Sequence, residues 1–299
     1  MKRLYTNLIL VFALCAVMPI CLCGCGSAGR NGEQGGESMY VTIAPLCPLV
    51  EGVVGDDFDV EILVPAGASP ESFEPTPRQF IALNRAQAVF AVGLIDFERN
   101  LVSRITDQKR VVELSRGIEL IAGSCSHHHN HSAECGHHHH SHGVDPHIWS
   151  SPKALKVMAQ NVYKTIATIY PDSVKYKTNY EVLAAQLDSL DRAVGELCAK
   201  ARTREFIIYH PALTYLARDY GLEQISIEHE GKEPSAKRLA GLIEGAQSGG
   251  QKRIFYQSTY PRSTVEVVAE DIGAEPTEID PLREDIFANI REITRLITE

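Results

Sequence analysis

Between Ser173 and Ala201 the chain carries Tyr176, Tyr180, Leu183, Leu187, Leu190, Val194, Leu197 and Ala201 at steps of three and four. That spacing lays one apolar stripe along a single long helix. Pro171-Asp172-Ser173 supplies entry and capping chemistry just before it. An unbroken helix of this length is a stiff spacer, unlike paired extended linkers that let two halves hinge widely. One such helix inside an otherwise alternating chain argues against a dimerising coiled coil.

Both flanks share a rhythm. Strand candidates before the helix are Tyr40 to Ala44, Phe58 to Val64, Ala88 to Val92 and Arg110 to Leu114, with helical material between them, notably Pro77 to Arg85. After it come Glu205 to Tyr209, Glu223 to Ile227, Arg253 to Gln257 and a short piece at Thr277 to Ile279. Short β-branched runs alternating with helical stretches are the pattern of a parallel sheet covered by helices. The expected fold is therefore α/β: two parallel-sheet α/β lobes bridged by one long rigid helix. A length of 299 residues is ordinary for two such lobes with their own cores.

At the amino terminus, Met1-Lys2-Arg3 precedes an apolar run from Leu8 to Leu22. The run is shorter than the ~20 residues a membrane-spanning helix needs, so it reads as a signal peptide. It ends in Leu22-Cys23-Gly24-Cys25, which resembles the bacterial lipoprotein signal and makes Cys25 the expected lipid anchor. Gly26 to Ser38 is Gly-rich and polar, a flexible tether. The expected organisation is signal peptide 1–24, tether 25–38, first lobe 39–172 with a histidine-rich loop at 126–142, linker helix 173–203 and second lobe 204–299.

Loss of residues 1–24 removes Lys2 and Arg3 from the 29 basic residues, leaving 27 against 38 acidic ones and a net charge of −11. Nucleic acid is excluded as a natural partner by that balance. Of the cysteines past the anchor, Cys125 and Cys135 are spaced to close a short loop in an oxidising compartment. Cys47 and Cys198 sit in apolar contexts and read as inert core thiols.

Nine of the twelve histidines fall in one tract: His127, His128, His129, His131, His137, His138, His139, His140 and His142. The tract has no apolar periodicity and reads as a solvated loop. Imidazole suits zinc, copper and nickel, so the tract is a candidate auxiliary collector or sensor of metal with many weak sites. The bland reading is a low-complexity insertion.

Other histidines are placed differently. Asp145-Pro146-His147-Ile148-Trp149 leads into a helix start at Ser150-Ser151-Pro152, holding His147 on a rigid turn. His210 follows the buried run Phe206 to Tyr209, Asp280 follows a short strand, and Glu71 lies in the segment joining the second strand to the next helix. Open α/β sheets bind ligands beyond the carboxyl ends of their strands. Four metal-competent side chains, Glu71 and His147 from one lobe and His210 and Asp280 from the other, are expected to converge on one inter-lobe cleft.

Together these residues resemble the metal-binding subunits of zinc and manganese ABC importers, the ZnuA-like solute-binding family. The resemblance runs over essentially everything after Ser38. It rests on Glu74-Pro75-Thr76-Pro77, Asp145-Pro146-His147-Ile148-Trp149, Tyr209-His210-Pro211-Ala212-Leu213, Tyr220-Gly221-Leu222, Glu233-Pro234-Ser235-Ala236-Lys237 and Asp280-Pro281-Leu282 in that order. It implies a monomeric extracytoplasmic receptor on a lipid anchor, with an ABC permease and its ATPase as partners and zinc as the ion, manganese or iron being the alternatives. One departure stands out: Glu71 occupies the place where the family usually has its first histidine ligand, with Glu74 as the candidate substitute. Oxygen donors suit harder ions better than imidazole does. Glu228, His229 and Glu230 form a further patch, read as surface residues or partners of the ligands.

A metalloenzyme would need an open coordination position and a positioned base, and no His-Glu-x-x-His signature is present. The competing non-enzymatic reading is a metal-storage or adhesin-like surface lipoprotein. Because imidazole must be neutral to coordinate, affinity is expected to fall below pH ~6.5.

Overall fold

The computed structural model describes residues 38–122, 143–228, 234–249, 252–260 and 262–299. The readings on the signal peptide, the tether, Cys25, Cys125, Cys135, the histidine tract, His229 and Glu230 lie outside these residues.

Two four-stranded sheets form. Strands β1 (Ser38–Val41), β2 (Asp59–Ile62), β3 (Ala88–Ala91) and β4 (Val111–Glu113) pair in the order β2-β1-β3-β4, every pair parallel. Strands β5 (Glu205–Ile208), β6 (Glu223–Ser226), β7 (Arg253–Tyr256) and β8 (Glu275–Glu278) repeat that order as β6-β5-β7-β8, again parallel. The short piece near Thr277 begins earlier than its β-branched residues suggest, because Arg253 to Tyr256 offers a complete row of partners to Glu275 to Glu278. Parallel pairing requires crossover connections. Helices α1 (Cys47–Val54), α2 (Pro77–Arg85) and α3 (Asp96–Val102) make them in the first lobe, and α6 (Thr214–Tyr220), α7 (Ala236–Gly249) and α8 (Arg262–Ile272) in the second.

Local chemistry sets the helix starts. Thr76 and Gln79 close a reciprocal capping box on α2, whose first residue is Pro77. Ser151 accepts from the amides of Lys153 and Ala154 to start α4 (Pro152–Ile169). The long helix α5 spans Val174–Ala199. Ser173 precedes it but makes no side-chain cap; its amide bonds the Tyr170 carbonyl instead.

The stripe of α5 buries Tyr176, Leu183, Leu187, Leu190, Val194 and Cys198, while Tyr180 stacks on Tyr163 with ring centroids 4.5 Å apart. This helix packs on α1, α4 and α9 (Ile286–Thr298). A single apolar core follows from that arrangement, running from Val41, Val89 and Phe90 through Leu187 and Leu190 to Phe206, Phe255 and Ile290. Alternation in β5 sends Phe206 and Ile208 into this core and Ile207 and Tyr209 into a smaller one against α8. Splaying the lobes at α5 would expose the shared core at about 25 cal/mol per Å² of apolar surface. Among the described residues Cys47 and Cys198 are buried free thiols, Cys47 pushed up to about 12 by burial and then by the Glu51 and Glu284 charges, Cys198 to about 11 by burial.

Candidate metal centre

A cavity of about 250 Å³ lies at the carboxyl ends of both sheets and is lined by side chains of both lobes, including Glu71, His147, His210 and Asp280. Each reaches it by a different local device. Glu71 is the middle residue of a one-turn 3-10 segment, Pro70–Ser72, whose entry is fixed by the Ser69 hydroxyl accepting from the Glu71 amide at 3.3 Å. His147 sits at the end of the Asp145-Pro146 turn, where one carboxylate oxygen of Asp145 accepts both the His147 amide (2.9 Å) and its Nδ1 (2.8 Å). His210 lies two residues past β5. Its carbonyl accepts from the Ala212 amide at 2.8 Å and from the Gln257 side-chain amide at 3.2 Å.

Both imidazoles are buried, each 8% exposed, and both have Nδ1 committed to a carboxylate, His147 to Asp145 and His210 to Glu228 at 2.9 Å. Those contacts fix the tautomer that turns Nε2 into the cavity. There the two Nε2 atoms stand 3.2 Å apart, and Glu71 Oε1 stands 3.1 Å from that of His210. Two bare lone pairs at such a distance would repel. A proton on His210 resolves this: its Nε2–H donates to both Glu71 and His147.

The electrostatics agree. Burial alone would lower the affinity of His210 for its proton, but hydrogen bonds and charge from Glu228 and Glu71 outweigh it and lift the pKa to about 9. Glu71 responds in the opposite sense. Burial raises it, and the hydrogen bond and charge of His210, with the Tyr260 hydroxyl, bring it below the usual carboxylate range. Asp145 is likewise lowered, burial being outweighed chiefly by its bonds to His147.

The proton occupies the position a metal ion would take. Donors about 2.0–2.1 Å from a tetrahedral zinc lie about 3.3 Å from one another, and the separations here are 3.1 and 3.2 Å. Glu71, His147 and His210 each offer an atom within 4.8 Å of the others, so little movement is needed to exchange the proton for an ion. Asp280 lines the same cavity without joining that close group, one of its oxygens accepting the Leu282 amide at 2.9 Å. Glu74 is exposed and does not line the cavity. A second trio, Cys47, Glu51 and Glu284, is also close-set, its thiol pushed up to about 12 by burial and by the charges of the two carboxylates.

Several supporting residues were read only in part or not at all. Asp145 was visible only as part of a motif, without a role; its spacing two residues before His147 is the signal for a carboxylate that orients an imidazole. Glu228, read as a surface residue or partner, is buried at 6% exposure and holds His210. Tyr260 stacks on the His210 ring at 4.9 Å and donates to Glu71 Oε2 at 3.3 Å, and nothing in its sequence context announces it. The Trp149 indole N–H donates to the Pro281 carbonyl at 3.1 Å, tying the His147 turn to the Asp280 loop.

Known proteins are similar to this chain. Residues 39–299 match the family model described as zinc-uptake complex component A periplasmic, ZnuA. The chain is 30% identical to the high-affinity zinc uptake system protein ZnuA of Bacillus subtilis over 91% of its own length and 87% of that protein's. It is 28% identical to the zinc-binding protein AdcA of Streptococcus pyogenes over 83% of its length, and it spans about half, 51%, of that relative. Among solved structures, a ZnuA crystal structure superimposes with a TM-score of 0.77 at 30% identity, covering 87% of this chain and 97% of the other. A zinc-bound deletion mutant of ZnuA gives the same TM-score of 0.77, covering 87% and 96%. The two-lobed fold, the paired imidazoles facing one cavity and these matches lead to one assignment: the chain belongs to the ZnuA family of zinc-uptake components.

Proposed function

We propose that this protein is the extracytoplasmic solute-binding component of an ABC importer, capturing zinc in the inter-lobe cleft and passing it to a membrane permease driven by its ATPase. The observation that carries this is the pair of buried imidazoles, one from each lobe, with Nδ1 held by a carboxylate and Nε2 atoms 3.2 Å apart. Zinc takes nitrogen and oxygen donors in tetrahedral sets, and the ligands are His147, His210 and Glu71, with Asp280 as the fourth. Four protein ligands leave no coordination position for a substrate, which suits a carrier and not a catalyst. The nearest alternative within the family chemistry is manganese or iron, favoured only by the oxygen donors.

The zinc-binding and zinc-uptake relatives support zinc as cargo and an importer as the setting. No helix among the described residues is long and apolar enough to cross a membrane. Attachment through Cys25 and a monomeric state complete the reading, with the tract from His127 to His142 as a weak auxiliary collector.

A chelator-competition titration of the full chain with zinc tests it. The double variant His147→Ala/His210→Ala is expected to lose tight binding and keep only weak, multi-site binding. An equal loss on deleting 126–142 while both cleft histidines remain would overturn this division of labour.

A further inference from the structure

Tyr215 lies in the first turn of α6, five residues past His210, and is fully buried. Its hydroxyl accepts from the Ile121 amide at 3.1 Å and donates to the Asp145 carbonyl at 2.8 Å. Ile121 and Asp145 are themselves joined, the Asp145 amide donating to the Ile121 carbonyl at 2.9 Å, and Ala122 bridges Val144 in antiparallel fashion next to them. One phenol of the second lobe therefore closes a narrow neck of the first. The neck ends at the residue whose carboxylate grips His147. Arg218, one turn along α6, covers the Tyr215 ring at 5.0 Å and donates to the Glu119 carbonyl at 2.7 Å, two residues before Ile121.

We propose that Tyr215 is a positioning residue for metal capture, setting the separation of His147 and His210 through the Asp145 backbone. The proposal rests on reading Glu71, His147 and His210 as the ligands. The chain of contacts is short: hydroxyl to Asp145 carbonyl, Asp145 carboxylate to His147 Nδ1, His147 Nε2 to the site. His210 belongs to the same segment as Tyr215, so the hydroxyl is a fixed strut between the two imidazoles. Metal coordination tolerates only about 0.2 Å in a ligand distance. Loss of groups that orient ligands without touching the ion costs about 10–100-fold in affinity.

The test compares the full chain with Tyr215→Phe, which keeps the ring and removes one oxygen. Tyr40→Phe is the control, since the Tyr40 hydroxyl also makes one side-chain bond, to Glu61 at 2.9 Å, and neither residue lines the cavity. Zinc affinity is read by chelator competition, and the ligand-field spectrum of bound cobalt(II) reports site geometry, which a merely structural loss would leave alone. Tyr215→Phe is expected to bind zinc about tenfold more weakly with an altered cobalt spectrum, and Tyr40→Phe to change neither. Unaltered affinity and spectrum in Tyr215→Phe, or equal changes in both variants, would overturn the proposal. Should Tyr215→Phe fail to fold, Arg218→Met gives the reading instead: a two- to threefold weakening supports the strut and no change refutes it. Absence of tight binding by the unaltered chain would instead sink the ligand assignment itself.

Discussion

The two lobes use one sheet to opposite ends. Val41 pairs with Ile62 and Phe90 in the first, as Ile208 pairs with Ser226 and Phe255 in the second, so the strands correspond residue by residue. Two residues past Val41, Ile62 and Phe90, the first lobe has Ile43, Val64 and Val92, all buried. At the matching places the second lobe has His210, Glu228 and Gln257, also buried. After the fourth strand the pair is Ser115 against Asp280. One lobe therefore presents an apolar wall and the other a polar array. The first lobe adds its proposed ligands by insertion, Glu71 after β2 and His147 beyond the sheet altogether. It also spends a buried carboxylate on structure: Glu98 accepts from Thr42, Val92, Gly93 and Ile95, while burial pushes its carboxyl up. Topology decides where a ligand can stand; the residue at the strand exit decides whether one does.

Glu228→Val puts the first lobe's residue, Val64, into the second lobe's exit and breaks the contrast most sharply. His210 then loses the acceptor at its Nδ1, its tautomer is no longer fixed, and zinc affinity is expected to fall about 10–100-fold. Chelator competition measures this. An unchanged constant would mean that the carboxylate does not hold the ring in use.

This array was only partly legible beforehand. The strands could be read because β-branched runs at Phe206 to Tyr209 and Ala88 to Val92 have no other stable use, and the long helix because Leu183, Leu187, Leu190 and Val194 keep one face over several turns. His147 and His210 could be read because each sits beside a proline at an element boundary, where packing does not demand a histidine. Glu228 could not. It lies between Ile227 and residues of mixed charge, and only the parallel pairing of β5 with β6 brings it beside His210 across 18 positions of sequence. Tyr260 and Tyr215 were silent for the same reason: their roles depend on partners 189 and 94 residues away.

Because Glu228 and Glu71 hold a proton on His210, the pH response of the site shifts upward from that of a free imidazole. Zinc must displace that proton, so affinity is expected to rise by up to tenfold per pH unit and to level off near the His210 value of about 9, not near 6.5. Stability of the metal-free protein runs the other way. A histidine whose folded pKa exceeds its unfolded one stabilises fully below about 6.5, and that contribution disappears as the pH climbs through about 9. Chelator-buffered titrations and melting curves at pH 6.5, 7.5 and 8.5 follow both trends. Affinity that saturates by pH 7 would show that the proton is not held as the geometry implies.

The smallest effect concerns Glu71, the inserted candidate ligand. Glu71 is nearly half exposed, its side chain 47% accessible, and is steadied by the Tyr260 hydroxyl and by His210, with no buried carboxylate partner of the kind that holds each imidazole. Changing it to the chemistry that the second lobe uses, Glu71→His, exchanges a hard oxygen for a borderline nitrogen and removes one negative charge beside His210. Both changes act in one direction. The softer donor set favours zinc over manganese, and with less negative charge nearby His210 gives up its proton more easily, which helps whichever ion binds more strongly to nitrogen. Competition between the two ions is expected to move toward zinc by roughly threefold or more, with little change in fold because the 3-10 turn is set by Pro70 and Ser69 and not by the Glu71 side chain. If the ratio stays fixed while zinc still binds tightly, Glu71 lies outside the coordination shell, and the first lobe contributes His147 alone.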